Sequence, residues 1–186
     1  MELLIYAVLS GVLLTATLSV LLSTNRSNSE MLRGMRLQDR WSRLSQLLDL
    51  EVAEGREIFY DNDRGELPTA CGATAGTSSR VTIEIPYLAA AAGPISTTTI
   101  DYYLRGTDLW RCGPPFRADG RLDPTAPLVS SQLSNRMGFR LARSTSTPSN
   151  PDESRVLRYT IEFLTPEGRV LFSRSGAART RVSRFE

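Results

Sequence analysis

The chain has 186 residues, of which 41% are hydrophobic and 23% charged, with a net charge of +2; this gives about one domain's worth of sequence beside any anchor, with enough apolar content for a real core. All 22 basic residues are arginine, and lysine and histidine are absent. That excludes Ser-His-Asp and Cys-His nucleophiles, a Schiff-base or Walker lysine and imidazole metal ligands, and so points away from an enzyme, a cofactor or a metal site.

The chain opens with MELLIYAVLSGVLLTATLSVLL. No charged side chain occurs from Leu3 to Leu22, and at about 1.5 Å of rise per residue that run reaches across roughly 30 Å of hydrocarbon. Residues 1–22 therefore predict a membrane-spanning helix. Glu2 stands at its lip, where an ordinary signal-anchor carries Lys or Arg, and a carboxylate there requires a partner. Ala7, Gly11, Thr15 and Ser19 recur every four residues and predict a shallow groove for helix-to-helix packing, although small residues are also common in any transmembrane helix.

The segment MELLIYAVLSGVLL resembles the N-terminus of type IV pilins and pseudopilins, in which a Glu opens the hydrophobic helix after an aromatic, Thr, Leu and a variable apolar residue. On that pattern Glu2 is the family's acid and Met1 the variable residue before it. The resemblance implies that a basic leader, the cleavage-site Gly and the first three mature residues lie upstream of Met1, with a prepilin peptidase as partner. It also implies the pilin-like α+β fold, a long N-terminal helix packed on an antiparallel sheet, and assembly with other pilin or pseudopilin subunits through Glu2.

The helix is expected to continue over residues 23–55. Ser23 to Ser29 is a polar stretch of modest helix propensity and, with Gly34, a candidate bend. Beyond it Leu37, Trp41, Leu44, Leu48 and Val52 form an amphipathic stripe that should lie on a sheet, and Gly55 stands where a helix stop belongs.

Residues 56–186 read as a β-rich head. Val81, Ile83, Ile85 and Tyr87, then Ile100, Tyr102 and Leu104, then Tyr159, Ile161 and Phe163 alternate with polar residues, as strands of a sheet with one wet face do. Gly106-Thr107-Asp108 predicts a hairpin into Leu109 to Cys112, Thr165 to Gly168 one into Val170 to Phe172, and Phe139 to Leu141 a shorter strand. Residues 61–79, 113–128 and 144–154 are loops by composition. Thr99 to Gly106 followed by Leu109 to Arg111 is also similar to the sheet region of the PilW-like minor pilins and the J-type pseudopilins.

Cys71 and Cys112 are the two cysteines; without a CxxC or a histidine their natural use is one structural disulfide in an oxidising compartment. Arg26, Arg33, Arg36, Arg40 and Arg43 follow the span and by the positive-inside rule place the head in the cytoplasm, a conflict that a basic leader resolves in favour of an inner-membrane protein with its head in the periplasm or outside. Asp61-Asn62-Asp63 with Glu66 has some features of a calcium loop but breaks the EF-hand pattern and reads as an acidic turn. Trp41 and Trp110 read as core. Residues 136–186 carry 10 Arg against 5 acids; Arg179, Arg181 and Arg184 are the candidate polyanion contacts, against the ordinary use of such a patch as a solvated sheet face. The expected function is that of a non-enzymatic minor pilin or pseudopilin that ends in a cell-surface filament. The alternatives are a single-pass signal-anchored envelope binding protein and a DNA-binding minor pilin for DNA uptake.

Overall fold

A computed structural model of the chain describes residues 2–60, 67–72, 77–89, 93–142 and 155–181, with the side chains of 2–10, 12, 13, 26 and 77 excepted. The fold is α+β: one helix, α1 (Glu2–Glu54), precedes eight strands in two antiparallel sheets. The strands β1 (Glu57–Tyr60), β2 (Thr77–Leu88), β3 (Ile95–Arg105), β4 (Asp108–Gly113) and β5 (Val129–Ser134) lie side by side in chain order, and β6 (Met137–Leu141), β7 (Val156–Leu164) and β8 (Val170–Arg179) do the same in the second sheet. Within each sheet every strand pairs antiparallel with its sequence neighbour; β3–β4 and β7–β8 are joined by tight turns, while β1–β2, β4–β5 and β6–β7 are joined by long connections.

The chain divides into two compact units, Met1–Ser42 and Arg43–Glu186. The first is helix alone. It runs through Ser23 to Ser29 and through Gly34 without interruption, as the continuous helix expected over these residues. The absence of proline leaves the hydrogen-bond ladder intact, and Thr24 turns its hydroxyl onto the Val20 carbonyl at 2.8 Å instead of competing for a cap.

In the second unit the last turns of α1 join the sheets. Leu44, Leu48 and Val52 are buried, as their spacing predicts. The helix ends at Glu54, with Gly55 N–H donating to Val52 O at 3.0 Å. Gly55 is required for closeness and not for a left-handed φ: a Cβ there would meet Ile83 Cγ2 at 2.5 Å. Arg181 N–H donates to Ala53 O at 3.1 Å, satisfying one of the orphan carbonyls of the final turn.

The predicted strands form, and both hairpins form where their turn residues stand. Gly106, at φ +62°, and Thr107 make a two-residue turn between Arg105 and Asp108, which face each other as the ends of β3 and β4. Asp108 is thus the first residue of β4 and not part of the turn. Gly168 at φ +81° closes the turn from β7 to β8, its N–H donating to Thr165 O at 3.0 Å. Two strands carry little periodic signal: β1 has four residues, and β5 is an edge strand in which no side chain is buried.

The expected wet face holds for β7, where Leu157, Tyr159, Ile161 and Phe163 are buried between more open neighbours. It fails for β3, in which all five residues from Ile100 to Leu104 are buried. The reason is that both faces are covered. Tyr102 faces α1, while Tyr103 packs with Leu67, Cys71 and Cys112, flanked by Trp110 and Leu128. A Cys71–Cys112 disulfide, with Cα atoms 5.6 Å apart, holds the short 3-10 turn Thr69–Cys71 on that second face, and Tyr103 donates its hydroxyl to Cys71 O at 2.9 Å.

A bridge spanning 41 residues restricts the unfolded chain by roughly 4 kcal/mol on the loop-entropy model. Replacing both cysteines by Ala is expected to move the urea midpoint down by a corresponding amount. In denatured wild-type protein no thiol should label before reduction and two should label after it; two reactive thiols before reduction would contradict the bridge.

Candidate functional site

The helical unit holds the residues expected to assemble. Glu2 and Ala7 lie outside the described side chains. Gly11, Thr15 and Ser19 are described and exposed, and a Cβ added at Gly11 would meet nothing within 4 Å. Around them Leu14, Leu18, Val20, Leu21, Leu22, Met31, Leu32 and Met35 are all more than half exposed. Single exposed apolar residues are ordinary; here eight of them fall on one element.

The hydroxyls of Thr15, Thr17 and Ser19 are turned inward to the helix. Thr15 donates to Gly11 O at 3.0 Å, Thr17 to Leu14 O at 3.0 Å and Ser19 to Ala16 O at 2.8 Å. Each hydroxyl thereby finds an acceptor within its own helix, the arrangement that an apolar surrounding requires. Among the described residues no helix is long and apolar enough to cross a membrane; positions 1–10, 12 and 13 of the expected span are outside the side chains described.

The site that fixes the helix to the head is ionic. Glu51 and Arg111 are both buried, and Oε1 of Glu51 accepts from Arg111 Nε at 2.8 Å and Nη2 at 2.6 Å. Tyr102 donates its hydroxyl to the other oxygen, Oε2, and Arg111 Nη2 also reaches Pro114 O at 3.0 Å, with its guanidinium 5.1 Å from the Phe116 ring. Burial pushes the Glu51 carboxyl up, against the opposing pull of Arg111 and Tyr102, and burial pushes the Tyr102 phenol well up. Nearly two turns earlier on the helix, Ser45 pairs with Tyr159 of β7 at 2.9 Å, so the last turns of α1 bond to both sheets.

None of these residues was prominent as a motif, although two signals were present. Glu51 follows Leu44 and Leu48 at spacings that keep it within the apolar stripe, and Arg111 shares the core side of β4 with Leu109 by period-two alternation. A second buried pair is harder to read. Asp101 Oδ1 accepts from Arg80 Nε at 2.9 Å and from the Thr82 hydroxyl, with Arg80 Nη2 at 2.8 Å; its other oxygen is buried without a partner among the described residues.

The remaining candidates separate. Arg179 is exposed near the end of β8 and Arg181 is exposed just beyond it, while Arg184 lies outside the described residues. The acidic group Asp61, Asp63 and Glu66 is also outside them. Among the described residues no group of three or more His, Cys, Asp or Glu is placed to hold a metal ion. No family model and no curated protein matches the chain.

Two predictions follow the geometry of these ionic contacts. Glu51→Ala leaves Arg111 buried and unpaired, a change that costs about 3–5 kcal/mol; the double variant Glu51→Leu/Arg111→Met should recover much of that loss in urea unfolding, because both charges are then gone. In the loop after β4, Asp123 accepts from Arg117 Nη2 at 2.9 Å and from the Thr125 hydroxyl at 2.8 Å, and these donors hold its carboxyl down at about 2. A depressed acid contributes its stability above the ordinary carboxylate range and loses it as the pH falls through the folded value. Carboxyl-carbon NMR should therefore find Asp123 titrating near 2, and Arg117→Gln should move that midpoint upward.

Proposed function

We propose that the chain is a structural subunit of a type IV pilus or type II secretion-like filament, a minor pilin or pseudopilin, held in the inner membrane by residues 1–22 until its helix enters the filament. The observation that carries this reading is the helical unit: eight large apolar side chains stand exposed between Leu14 and Met35, and the hydroxyls of Thr15, Thr17, Ser19 and Thr24 are satisfied by the helix itself. Such a helix is suited to a lipid or helix-bundle environment. The α+β architecture, with one long N-terminal helix and antiparallel sheets, supports the pilin-like reading, and the buried disulfide supports a head in an oxidising compartment.

In this mechanism Glu2 sits in a low-dielectric bundle and is compensated by the N-terminal amine of a neighbouring subunit. An unpaired carboxylate there is costly, so the pairing fixes the axial register of one subunit against the next. The head contributes presentation and not chemistry.

Glu2→Ala is expected to leave the protein stable in the membrane and absent from sheared filaments, because the acid serves assembly and not folding. Incorporation of the variant at the wild-type level would overturn the role of Glu2. Absence of the wild-type chain from any sheared filament would leave the single-pass anchored binding protein as the reading.

A further inference from the structure

The three-stranded sheet has a core side and an outer side, and its register sets which residues share the outer one. Leu157, Tyr159, Ile161 and Phe163 are buried, so Arg158 and Thr160 lie on the opposite face of β7. Arg140 pairs with Thr160, Arg158 with Ala177, and Arg179 with Val156. Arg140, Arg158 and Arg179 therefore occupy successive diagonal positions, one on each strand, with steps of about 7–8 Å. They form a line across the sheet.

Arg140 is 74% exposed and touches Glu162 at 3.3 Å. Arg158 and Arg179 are exposed and form no ion pair with any described residue. Between them stand Ala177 and the Thr160–Ser175 hydroxyl pair, 2.8 Å apart, so the surface is low where the guanidiniums are tall. Three like charges in a row with one carboxylate beside them create a field that an anion of matching shape relieves.

We infer that this face is a contact for the sugar–phosphate backbone of duplex DNA. A guanidinium presents a planar fork of donors that fits a phosphate, and the hydroxyls add further donors of the kind that phosphate oxygens accept. A line, and not a cluster, fits a linear polymer better than a lipid surface. Duplex DNA is stiff over about 150 base pairs, so its phosphates are already in line when they meet the guanidiniums and the polymer adds no ordering cost of a flexible chain. The outer face carries no aromatic side chain among its described residues, which removes the stacking platform that a single strand would use. Among the described residues no element projects from this face to enter a groove, and the contact proposed is to the backbone and independent of sequence.

This surface does not depend on the filament reading, since it lies wholly in the head. The test uses the full chain in non-ionic detergent and a fluorescent duplex of about 20–30 base pairs, with anisotropy measured between about 50 and 200 mM NaCl. The expected log–log salt slope is about −2.7, from about −0.9 for each of three phosphates. Arg140→Gln/Arg158→Gln/Arg179→Gln should weaken binding more than about tenfold, with an unchanged thermal unfolding midpoint. The corresponding triple Lys variant should keep most of the binding, because it keeps the charge. A charge-matched control, Arg33→Gln/Arg36→Gln/Arg40→Gln, should bind like wild type. The inference is overturned if wild type shows no binding at the lowest salt, if the Gln triple binds like wild type, if the helix control loses as much, if the folded Lys triple does not bind, or if a single strand of equal length binds more tightly than the duplex.

Discussion

The pairing of Glu51 with Arg111 is the constraint on which the head depends. A carboxylate on the last turn of a helix and a guanidinium on the fourth strand are each expensive to bury, and neither finds water where it lies. With Tyr102 and Pro114 O completing their hydrogen bonds, the two charges specify one angle and one register for the helix end. An apolar contact of the same size would hold the helix with similar strength and less selectivity. Leu48 and Val52 supply burial on either side, and the ionic pair decides where that burial occurs.

The same region explains why β3 has no wet face from Ile100 to Leu104. Helix α1 covers the side of β3 that bears Tyr102, and the segment from Leu67 to Cys71 covers the side that bears Tyr103. Such a short segment has little area of its own with which to stay in place. The covalent bond from Cys71 to Cys112 does what its packing alone could not, and the Tyr103 hydroxyl on the Cys71 carbonyl aligns it. Buried polar groups accumulate around this layer because β3 alternates for a half-buried strand yet is enclosed on both sides. Asp101 is therefore driven to recruit Arg80 and Thr82 as partners.

Helix α1 thus joins two environments. Its final turns are specified by charge, hydroxyl pairing and a disulfide-backed sheet, and they hold to both sheets. Its earlier residues, from Leu14 to Thr24, carry no charge: apolar side chains are exposed and the hydroxyls of Thr15, Thr17, Ser19 and Thr24 are folded back onto the backbone. This asymmetry is compatible with the proposed filament role, in which the helix would be completed by other molecules. The arginine line on the second sheet belongs to the finished part and would remain available in either setting.

Much of this was legible in the sequence because it rests on local period and turn chemistry. The apolar stripe at Leu44, Leu48 and Val52, the alternations in β2, β3 and β7, Gly106 and Gly168 in their turns and the two lone cysteines each carry their signal within a few residues. The tertiary structure decided what depends on distant partners. It split the strands into two sheets, since nothing local in β5 and β6 records that pairing passes no further, and it enclosed both faces of β3 by bringing onto it a segment whose Cys71 lies 32 residues before Tyr103. It also matched Glu51 to Arg111 across 60 positions and set Arg140, Arg158 and Arg179 in line, which no run along the chain reveals because only strand register makes them neighbours.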